Sequence, residues 1–296
     1  MIMVRLIGGL GNQMFQYAAG RALAGRTGGE LRFDVSGFAD YPDRDYALGS
    51  YPVHGRVAGP DDLLRFRGSG SVAGGVVELA GRAARVLGLG RRGAPTTFRE
   101  PHFHYAPRFE TLAGDVYLDG YWQSERYFVS IAEDVRRELT WPGALPEPLA
   151  QVAERLAQGP SVGLHVRRGD YVSDAHIATT HGALPLEYHR RAALLAAEGL
   201  GQPEFYVFTD DPVWVSAELD LGVPFTLVQG GTPHLDLHLM SLCRAKAMAN
   251  SSFSWWAAWL GARPGGRVGA PARWFGPQRM RTRNMDDLLP VDWVRA

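Results

Sequence analysis

Short apolar segments alternate with helical segments in both halves of the chain. Residues 2–7 predict a buried strand, a loop follows over 8–13, and apolar residues at helical spacing predict a helix from Met14. Further strands are predicted at Glu30–Asp34, Val116–Gly120, Ser161–Val166, Phe205–Phe208, Pro224–Val228, Arg244–Ala249 and Arg267–Ala270. The helices between the later strands are predicted at Pro148–Leu156, Pro185–Gly199, Val213–Leu219, His234–Ser241 and Ser251–Leu260. This alternation is typical of parallel sheets covered by helices, so the sequence predicts an α/β fold of Rossmann-like units.

A proline-rich stretch separates the two halves. Pro142, Gly143, Pro146 and Pro148 follow a segment, Gln123–Leu139, whose many charges predict a helix. A domain has roughly 100–200 residues, so a chain of 296 residues has room for two. We therefore expect an N-terminal domain over 1–145 and a C-terminal domain over 146–296.

Composition excludes several classes of protein. The single cysteine, Cys243, excludes a disulfide framework and a zinc site with several cysteines. Lys+Arg and Asp+Glu are both 31, which gives no case for a nucleic-acid partner. No apolar run approaches the ~20 residues of a membrane helix, and the apolar N-terminus lacks the basic leader of a signal peptide. We expect a cytoplasmic protein.

The basic residues are almost all of one type. Lys246 is the only lysine, and the other 30 of the 31 basic residues are arginine. GC-rich coding explains such a bias. Its physical consequence is that the cations of this chain are planar guanidinium groups, which suit phosphate.

The segment over 55–95 differs from its surroundings. It is rich in Gly, Arg and Ala, and Gly75–Leu89 predicts an amphipathic helix with Glu78, Arg82 and Arg85 on one face. One interpretation is a solvated helix in a variable insertion. The other is a contact with the inner face of a membrane or with a lipid-linked acceptor.

A glycine-containing loop, Gly8–Gln13, follows the first predicted strand. Gly9 and Gly11 would let an anion approach the backbone amides at a helix N-terminus. The loop matches neither a dinucleotide fingerprint nor a Walker loop. The alternative is a tight turn in which Asn12 and Gln13 cap the helix.

A charged run, His165–Tyr171, stands at the end of a predicted strand. Ligands of open α/β sheets bind at the carboxyl ends of strands. Strand alternation places His165 and Arg167 on one side and Arg168 on the other. The run is a candidate anion site, and a structural Arg–Asp pair with Asp170 is the alternative.

Two other segments carry polar groups at expected ligand positions. Asp210 and Asp211 end a predicted strand, where an aspartate could accept hydrogen bonds from a purine, although one of the pair is expected to cap the next helix. The run Asn250–Phe253 begins a helix, so the hydroxyls of Ser251 and Ser252 and the free amides form either a phosphate site or an ordinary N-cap.

Taken together, these segments resemble the α-1,2-fucosyltransferases of glycosyltransferase family eleven. The resemblance covers nearly the whole chain and is carried by Gly8–Ala18, Gly120–Phe128, His165–Tyr171, Phe208–Asp211 and Asp236–Leu260. Two departures stand out: Ala245 and Lys246 replace the family's usual histidine region, and Ala257 follows the tryptophan pair where glycine is usual.

The resemblance implies a GT-B-like fold of two facing Rossmann-like domains, the first on the acceptor side and the second binding the GDP-sugar. It implies transfer of fucose from GDP-fucose to a terminal β-galactoside with inversion, and neither a metal nor another cofactor. His234 and His238, four apart around Asp236, lack a third ligand and the usual His-Glu-x-x-His order of a metal site, so they are interpreted as a surface or capping feature. Oligomeric state is not predicted.

Roles follow for residues in the matching segments. The catalytic candidates are Arg167, which would grip the β-phosphate, Asp170 or His165 as the base, and Asn12, which would position the acceptor hydroxyl. The donor-binding candidates are Gly9, Gly11, Arg168, Asp210, Asn250, Ser251, Ser252 and Phe253. The acceptor-binding candidates are Gln13, Tyr121, Gln123 and Trp255. A fucosyltransferase of another linkage, or a non-catalytic protein that binds a GDP-sugar, are the alternatives.

Overall fold

The computed structural model describes residues 1–40, 44–67 and 95–296, in two compact units. The first unit comprises Met1–Ala47 and Val53–Val135, and the second comprises Leu48–Pro52 and Arg136–Ala296. The division therefore falls ten residues before the expected boundary between 145 and 146. One reason is Arg136, whose guanidinium lies 3.9 Å from the ring centre of Trp259. The predicted helix Gly75–Leu89 lies outside the described residues.

In the described residues of the first unit, five strands form a parallel sheet in the order β3-β2-β1-β5-β4. Its elements are β1 (Ile2–Arg5), α1 (Leu10–Thr27), β2 (Leu31–Asp34), β3 (Arg56–Val57), α2 (Pro60–Arg67), β4 (Thr96–Arg99) and β5 (Val116–Asp119). The predicted strands β1, β2 and β5 are confirmed. They are buried because α1 packs on the sheet, and Gly20 of α1 leaves room for the side chains of Val4 and Leu31.

The helix after the first strand begins earlier than the sequence predicted. Helix α1 starts at Leu10, so Asn12 and Gln13 lie in its first turn and not in a loop. Gly9 is the N-cap residue, and no side chain caps the helix. The interpretation of Asn12 and Gln13 as capping residues was therefore wrong. Gly8 makes the turn possible, because its φ of 75° is in the left-handed region that favours glycine.

The predicted helix Gln123–Leu139 is wrong in its first half. Two short 3-10 turns, Glu125–Tyr127 and Val129–Ile131, precede helix α3 (Ala132–Leu139). Ser124 is extended and accepts a hydrogen bond from the backbone N–H of Arg126, so it starts a separate turn. Phe128, between the two turns, has φ −140° and ψ 7°, which is not helical.

The second unit is a parallel sheet of six strands in the order β11-β10-β9-β6-β7-β8. Its strands are β6 (Ser161–Val166), β7 (Glu204–Thr209), β8 (Phe225–Val228), β9 (Ala245–Ala247), β10 (Val268–Ala270) and β11 (Val294–Arg295). Its helices are α4 (Glu147–Gln158), α5 (Gly169–Ser173), α6 (Ala175–Thr180), α7 (Leu186–Ala197), α8 (Pro212–Glu218), α9 (Pro233–Leu242), α10 (Ser252–Leu260) and α11 (Pro277–Met280). The strands and helices predicted for this half are confirmed to within a few residues, whereas α5, α6, α11 and β11 were not predicted.

Two neighbouring strands of this sheet end side by side. In the parallel register of β6 and β7, Val166 pairs with Thr209. Arg167 and Asp210, the residues that follow the two strands, therefore lie next to each other at the carboxyl edge of the sheet. Their strands are anchored by a buried core that includes Val162, Leu164 and Val207.

Within the described ranges, no helix combines the length and the apolar content that a membrane-spanning helix requires.

Candidate active site

Arg167 is held between two carboxylates at the end of β6. Its Nη2 donates to Oδ1 of Asp170 over 2.6 Å, and its Nη1 lies 2.8 Å from Oδ2 of Asp210. Charge-assisted contacts of this length fix the edge of a guanidinium strongly. The side chain still keeps 24% of its surface exposed, so it can meet a ligand.

Both carboxylate oxygens of Asp210 contact the residues that follow β6. Oδ1 accepts the backbone N–H of Arg168 over 2.9 Å, while Oδ2 faces Arg167. Gly169 makes this approach possible, because a Cβ on it would stand 2.5 Å from Oδ2 of Asp210. Asp210 was expected to accept from a purine, but in the structure its contacts position Arg167 and the loop.

Arg168 and Asp211 form a separate, structural pair. The guanidinium of Arg168 lies 4.0 Å from the ring centre of Trp214, and its Nε contacts Oδ2 of Asp211 over 3.3 Å. Oδ1 of Asp211 accepts the backbone N–H of Trp214, which confirms that one aspartate of the pair caps α8. Arg168 was predicted to bind the donor. The structure instead places its guanidinium on Trp214 and not among the residues that line the cavity.

A cavity of about 470 Å³ opens beside Arg167 at the ends of β6, β7 and β8. Its size is in the range of small-molecule sites. The polar and aromatic groups on its wall include His165, Arg167, Asp210, Thr232, Asp236 and Phe253. The segment after β8, Gln229–Pro233, was not predicted to belong to the site, although its two glycines follow a predicted strand and ligands bind at strand ends.

Asp236 is the second carboxylate of this wall. Its Oδ1 accepts the backbone N–H of Gly230 over 2.6 Å, so it caps the loop that follows β8. Burial raises the pKa of Asp236.

His234 and His238, which were interpreted as a surface or capping feature, are both half-buried in α9, and Thr232 is the N-cap residue of that helix. The ring centre of His234 lies 5.6 Å from that of Tyr51 and 6.0 Å from that of Trp141.

His165 lies in β6, two residues before Arg167, and is almost completely buried, with 5% of its surface exposed. Its ring centre is 5.0 Å from that of Phe253, and its Nδ1 has no hydrogen-bond partner in the part of the chain that the structure describes. Burial, followed by the charge of Arg167, lowers the pKa of His165 to about 3. A buried imidazole with this pKa is a poor proton acceptor at neutral pH, so the structure disfavours His165 as the base.

The start of α10 is only partly as expected. The side-chain amide of Asn250 donates to the carbonyls of His181, Gly182 and Trp274 over 3.1–3.3 Å, so this residue joins two loops and does not face a ligand. Oγ of Ser251 accepts the backbone N–H of Phe253 and caps α10. Ser252 is half-buried in the first turn, and the ring of Phe253 lines the cavity.

Trp255 does not lie on an acceptor surface. Its side chain is completely buried, and its Nε1 donates to the carbonyl of Leu288 over 2.8 Å. It packs against Trp256, Trp259 and Trp293. The prediction of an acceptor-binding role was therefore wrong, because the tryptophans form the core between α10 and the C-terminal segment.

The first unit contains a cluster of polar residues around Asn12. Nε2 of Gln123 donates to Oδ1 of Asn12 over 2.8 Å, which connects the start of α1 with the segment after β5. Tyr121 beside it is 44% exposed, and its backbone N–H donates to Glu100. Asn12 and Tyr121 are thus placed where a ligand could meet them.

Gln13 is a structural residue in this unit. It is completely buried, and its amide donates to the carbonyls of Gly8 and Asp45 while accepting from the N–H of Ala47. The predicted acceptor contact is therefore wrong. Gly11 is also buried in the first turn of α1, whereas a Cβ on Gly9 would meet nothing within 4 Å.

Two parallel-sheet α/β units with a polar cavity at strand ends are the architecture of the GT-B class of glycosyltransferases. The pattern of glycosyl transferase family 11 matches residues 108–295, which is more than half of the chain. The chain therefore belongs to glycosyl transferase family 11.

Relatives agree with this family. The chain is 29% identical to an α-1,2-colitosyltransferase of Escherichia coli, over 99% of this chain and 98% of that protein. It is 28% identical to galactoside α-(1,2)-fucosyltransferase 1 of Rattus norvegicus, over 48% of this chain and 41% of that protein. Among solved structures, a point mutant of Arabidopsis thaliana FUT1 in complex with GDP has a TM-score of 0.50 at 12% identity, covering 88% of this chain and 68% of that chain, a likeness of fold.

Proposed function

We propose that this glycosyltransferase transfers L-fucose from GDP-β-L-fucose to the 2-hydroxyl of a terminal β-galactoside, with inversion and without a metal ion. The observation that carries the proposal is the guanidinium of Arg167, fixed between Asp170 and Asp210 at the wall of a cavity of about 470 Å³. The named activities of the relatives support the α-1,2 linkage.

Arg167 would stabilise the leaving group. Negative charge grows on the β-phosphate as the bond to the sugar breaks, and a preorganised donor aimed at that charge contributes about 10²–10³ in rate. The two carboxylates hold Arg167 before the donor binds, so little reorganisation is needed in the transition state. Its free N–H groups are then available to phosphate oxygens.

The remaining donor contacts would come from the start of α10 and from the cavity wall. The first turn of α10, with the hydroxyls of Ser251 and Ser252, offers donors to phosphate oxygens. The neutral ring of His165 borders the cavity and offers an uncharged contact for the ribose or the base. Asp236 and the loop that it caps line the cavity as well.

Two residues compete for the task of assisting the acceptor hydroxyl. Asp170 could accept its proton, although Oδ1 already accepts from Arg167. Asn12, oriented by Gln123, could position the hydroxyl without accepting the proton. The pH–rate profile of Asp170→Asn distinguishes them: loss of the acidic limb supports a base, and an unchanged profile with a modest loss of rate supports an orienting role.

Colitose is a second candidate sugar. One relative, 98% of whose length matches this chain, is named as a colitosyltransferase. Colitose is the 3-deoxy counterpart of L-fucose. A protein that prefers GDP-colitose would use the same arginine on the same diphosphate, so the difference lies only in the sugar.

The test is a transfer assay with EDTA present. The protein is incubated with GDP-fucose or GDP-colitose and a panel of β-galactosides, and GDP release and product mass are measured. A fucose-sized mass gain on galactose supports the proposal, and a faster reaction with GDP-colitose supports the second candidate. GDP binding without transfer to any acceptor indicates a GDP-sugar-binding protein, and the absence of GDP binding refutes the donor class.

A further inference from the structure

Five planar side chains form a continuous stack that begins at Arg167 and ends at Arg283. The guanidinium carbon of Arg167 lies 5.4 Å from the ring centre of Tyr171. The rings of Tyr171 and His181 are 5.0 Å apart at 13°, and those of His181 and Phe275 are 5.3 Å apart. The guanidinium carbon of Arg283 lies 5.4 Å from Phe275. These separations are those of cation–π contacts at both ends, a stacked pair between Tyr171 and His181, and a tilted pair, at 41°, between His181 and Phe275.

The backbone around His181 is fixed on several sides. Its N–H donates to the carbonyl of Ile177 over 2.8 Å, and its carbonyl accepts from Nδ2 of Asn250 over 3.3 Å. The hydroxyl of Tyr171 donates to the carbonyl of Asn250 over 3.0 Å. Asn250 thus anchors both rings at the centre of the stack.

His181 acts through the faces of its ring. Its Nδ1 is buried and has no hydrogen-bond partner among the described residues. Burial, and then the charge of Arg279, lower the pKa of His181 to about 4, so the ring is neutral at pH 7. The other charges facing it are Asp170, Arg167 and Arg283. A neutral ring can therefore lie among three arginines without adding to their mutual repulsion.

The stack supplies a constraint that the carboxylates do not. Asp170 and Asp210 fix two nitrogen atoms at the edge of Arg167. Two such contacts still allow the guanidinium plane to tilt about the line that joins them. The ring of Tyr171 limits that tilt, and the ring of His181, stacked on Tyr171 at 5.0 Å, limits the movement of the Tyr171 ring.

We propose that His181 is a positioning residue for Arg167: through the ring of Tyr171, it sets the plane in which the guanidinium meets the donor diphosphate. The proposal rests on the proposed function, because it takes the ligand of Arg167 to be the diphosphate of a GDP-sugar. Pairing of an arginine with phosphate oxygens is directional, so a tilted guanidinium loses affinity and rate.

The test uses two variants of similar bulk. His181→Phe keeps a ring in the stack, and His181→Leu fills the space without one. GDP binding is measured by calorimetry for each, in the natural chain and in an Arg167→Ala background. We expect His181→Leu to weaken GDP binding about three- to tenfold in the natural chain and less than about twofold in the Arg167→Ala background. We expect His181→Phe to stay within about twofold of the natural chain.

The outcomes separate this proposal from the proposed function. If the natural chain binds GDP and leucine causes the same loss in both backgrounds, or phenylalanine causes the same loss as leucine, the role of His181 is refuted and the donor class stands. If the natural chain binds no GDP, the donor class is refuted and this proposal with it. Should His181→Leu not fold, Tyr171→Leu against Tyr171→Phe makes the same comparison one position along the stack.

Discussion

Nη1 of Arg167 lies 2.8 Å from Oδ2 of Asp210, although the two residues follow different strands. The contact exists because β6 and β7 run parallel in a register that ends both strands at the same edge of the sheet. One strand thereby supplies the cation, and its neighbour supplies the carboxylate that orients it.

Arg167→Lys should lose most of the transfer activity. A lysine ammonium is a point charge and cannot contact Asp170 and Asp210 through two nitrogen atoms while keeping others free for phosphate. We expect kcat to fall about 10²–10³-fold. The measurement is steady-state transfer with GDP-fucose, with a thermal melt to show that the variant folds. A loss of less than about threefold would exclude Arg167 from charge stabilisation.

Gly169→Ala should act on Asp210 without touching Arg167 directly. The added Cβ would stand 2.5 Å from Oδ2 of Asp210, so the carboxylate must move away from the guanidinium. We expect GDP affinity to fall about tenfold, in line with the loss of a charge-assisted contact. Calorimetry with GDP measures it. Gly201→Ala is the matched control, because a Cβ there meets nothing within 4 Å. Equal affinities for the two variants would contradict the role of Asp210.

The location of the candidate site could be predicted because the ends of buried strands can be recognised in a sequence. The apolar runs Ser161–Val166 and Phe205–Phe208 marked two buried strands, and the charged residues after them had to lie at one edge of a parallel sheet. The sequence also predicted that one of Asp210 and Asp211 would cap the next helix, and the structure shows that it is Asp211.

The roles of several polar residues were not predictable, because their partners come from distant parts of the chain. Asparagine often binds ligands, yet the side-chain amide of Asn250 donates hydrogen bonds to the carbonyls of His181 and Trp274. The side-chain amide of Gln13 likewise donates to the carbonyl of Asp45, which is distant in the sequence. His181 shows the converse case, because its place in the stack depends on Phe275, far along the sequence.

Gly8→Ala should reduce transfer through Asn12. Gly8 has a φ of 75°, and a Cβ on it would stand 2.5 Å from Nδ2 of Asn12. The alanine therefore strains the turn and displaces the side chain that Gln123 orients. We expect kcat to fall about tenfold or more, with a melting temperature lowered by strain of about 1–2 kcal/mol.

Gly37→Ala is the control for this change, since a Cβ on Gly37 meets nothing within 4 Å. It should leave kcat unchanged. Gln123→Met, which removes the hydrogen bond to Asn12 without straining the turn, should reproduce a part of the loss. Full activity in Gln123→Met would show that the orientation of Asn12 does not matter for transfer.

Because of Lys246, the free energy of unfolding should vary with pH between neutral and alkaline pH. This single lysine is 1% exposed in β9, and its Nζ donates to the carbonyl of Gly261. Burial lowers the pKa of Lys246 to about 7 from its ordinary 10.5. Between these values the unfolded chain binds a proton that the folded chain does not, so the free energy of unfolding falls as the pH falls from about 10.5 to about 7. Below pH 7 both states are protonated and the effect ends.

The test compares denaturant unfolding of the natural chain and Lys246→Met at pH 7, 8, 9 and 10. Relative to the variant, the natural chain should gain up to about 1.4 kcal/mol of stability for each unit of rising pH. Other groups titrate in both proteins and cancel in the difference. Arg267→Met, which removes an exposed cation paired with Glu198, should show no such dependence. Parallel curves for the natural chain and Lys246→Met would mean that the buried amine stays protonated in the folded protein, held by Gly261 and its surroundings strongly enough to offset burial.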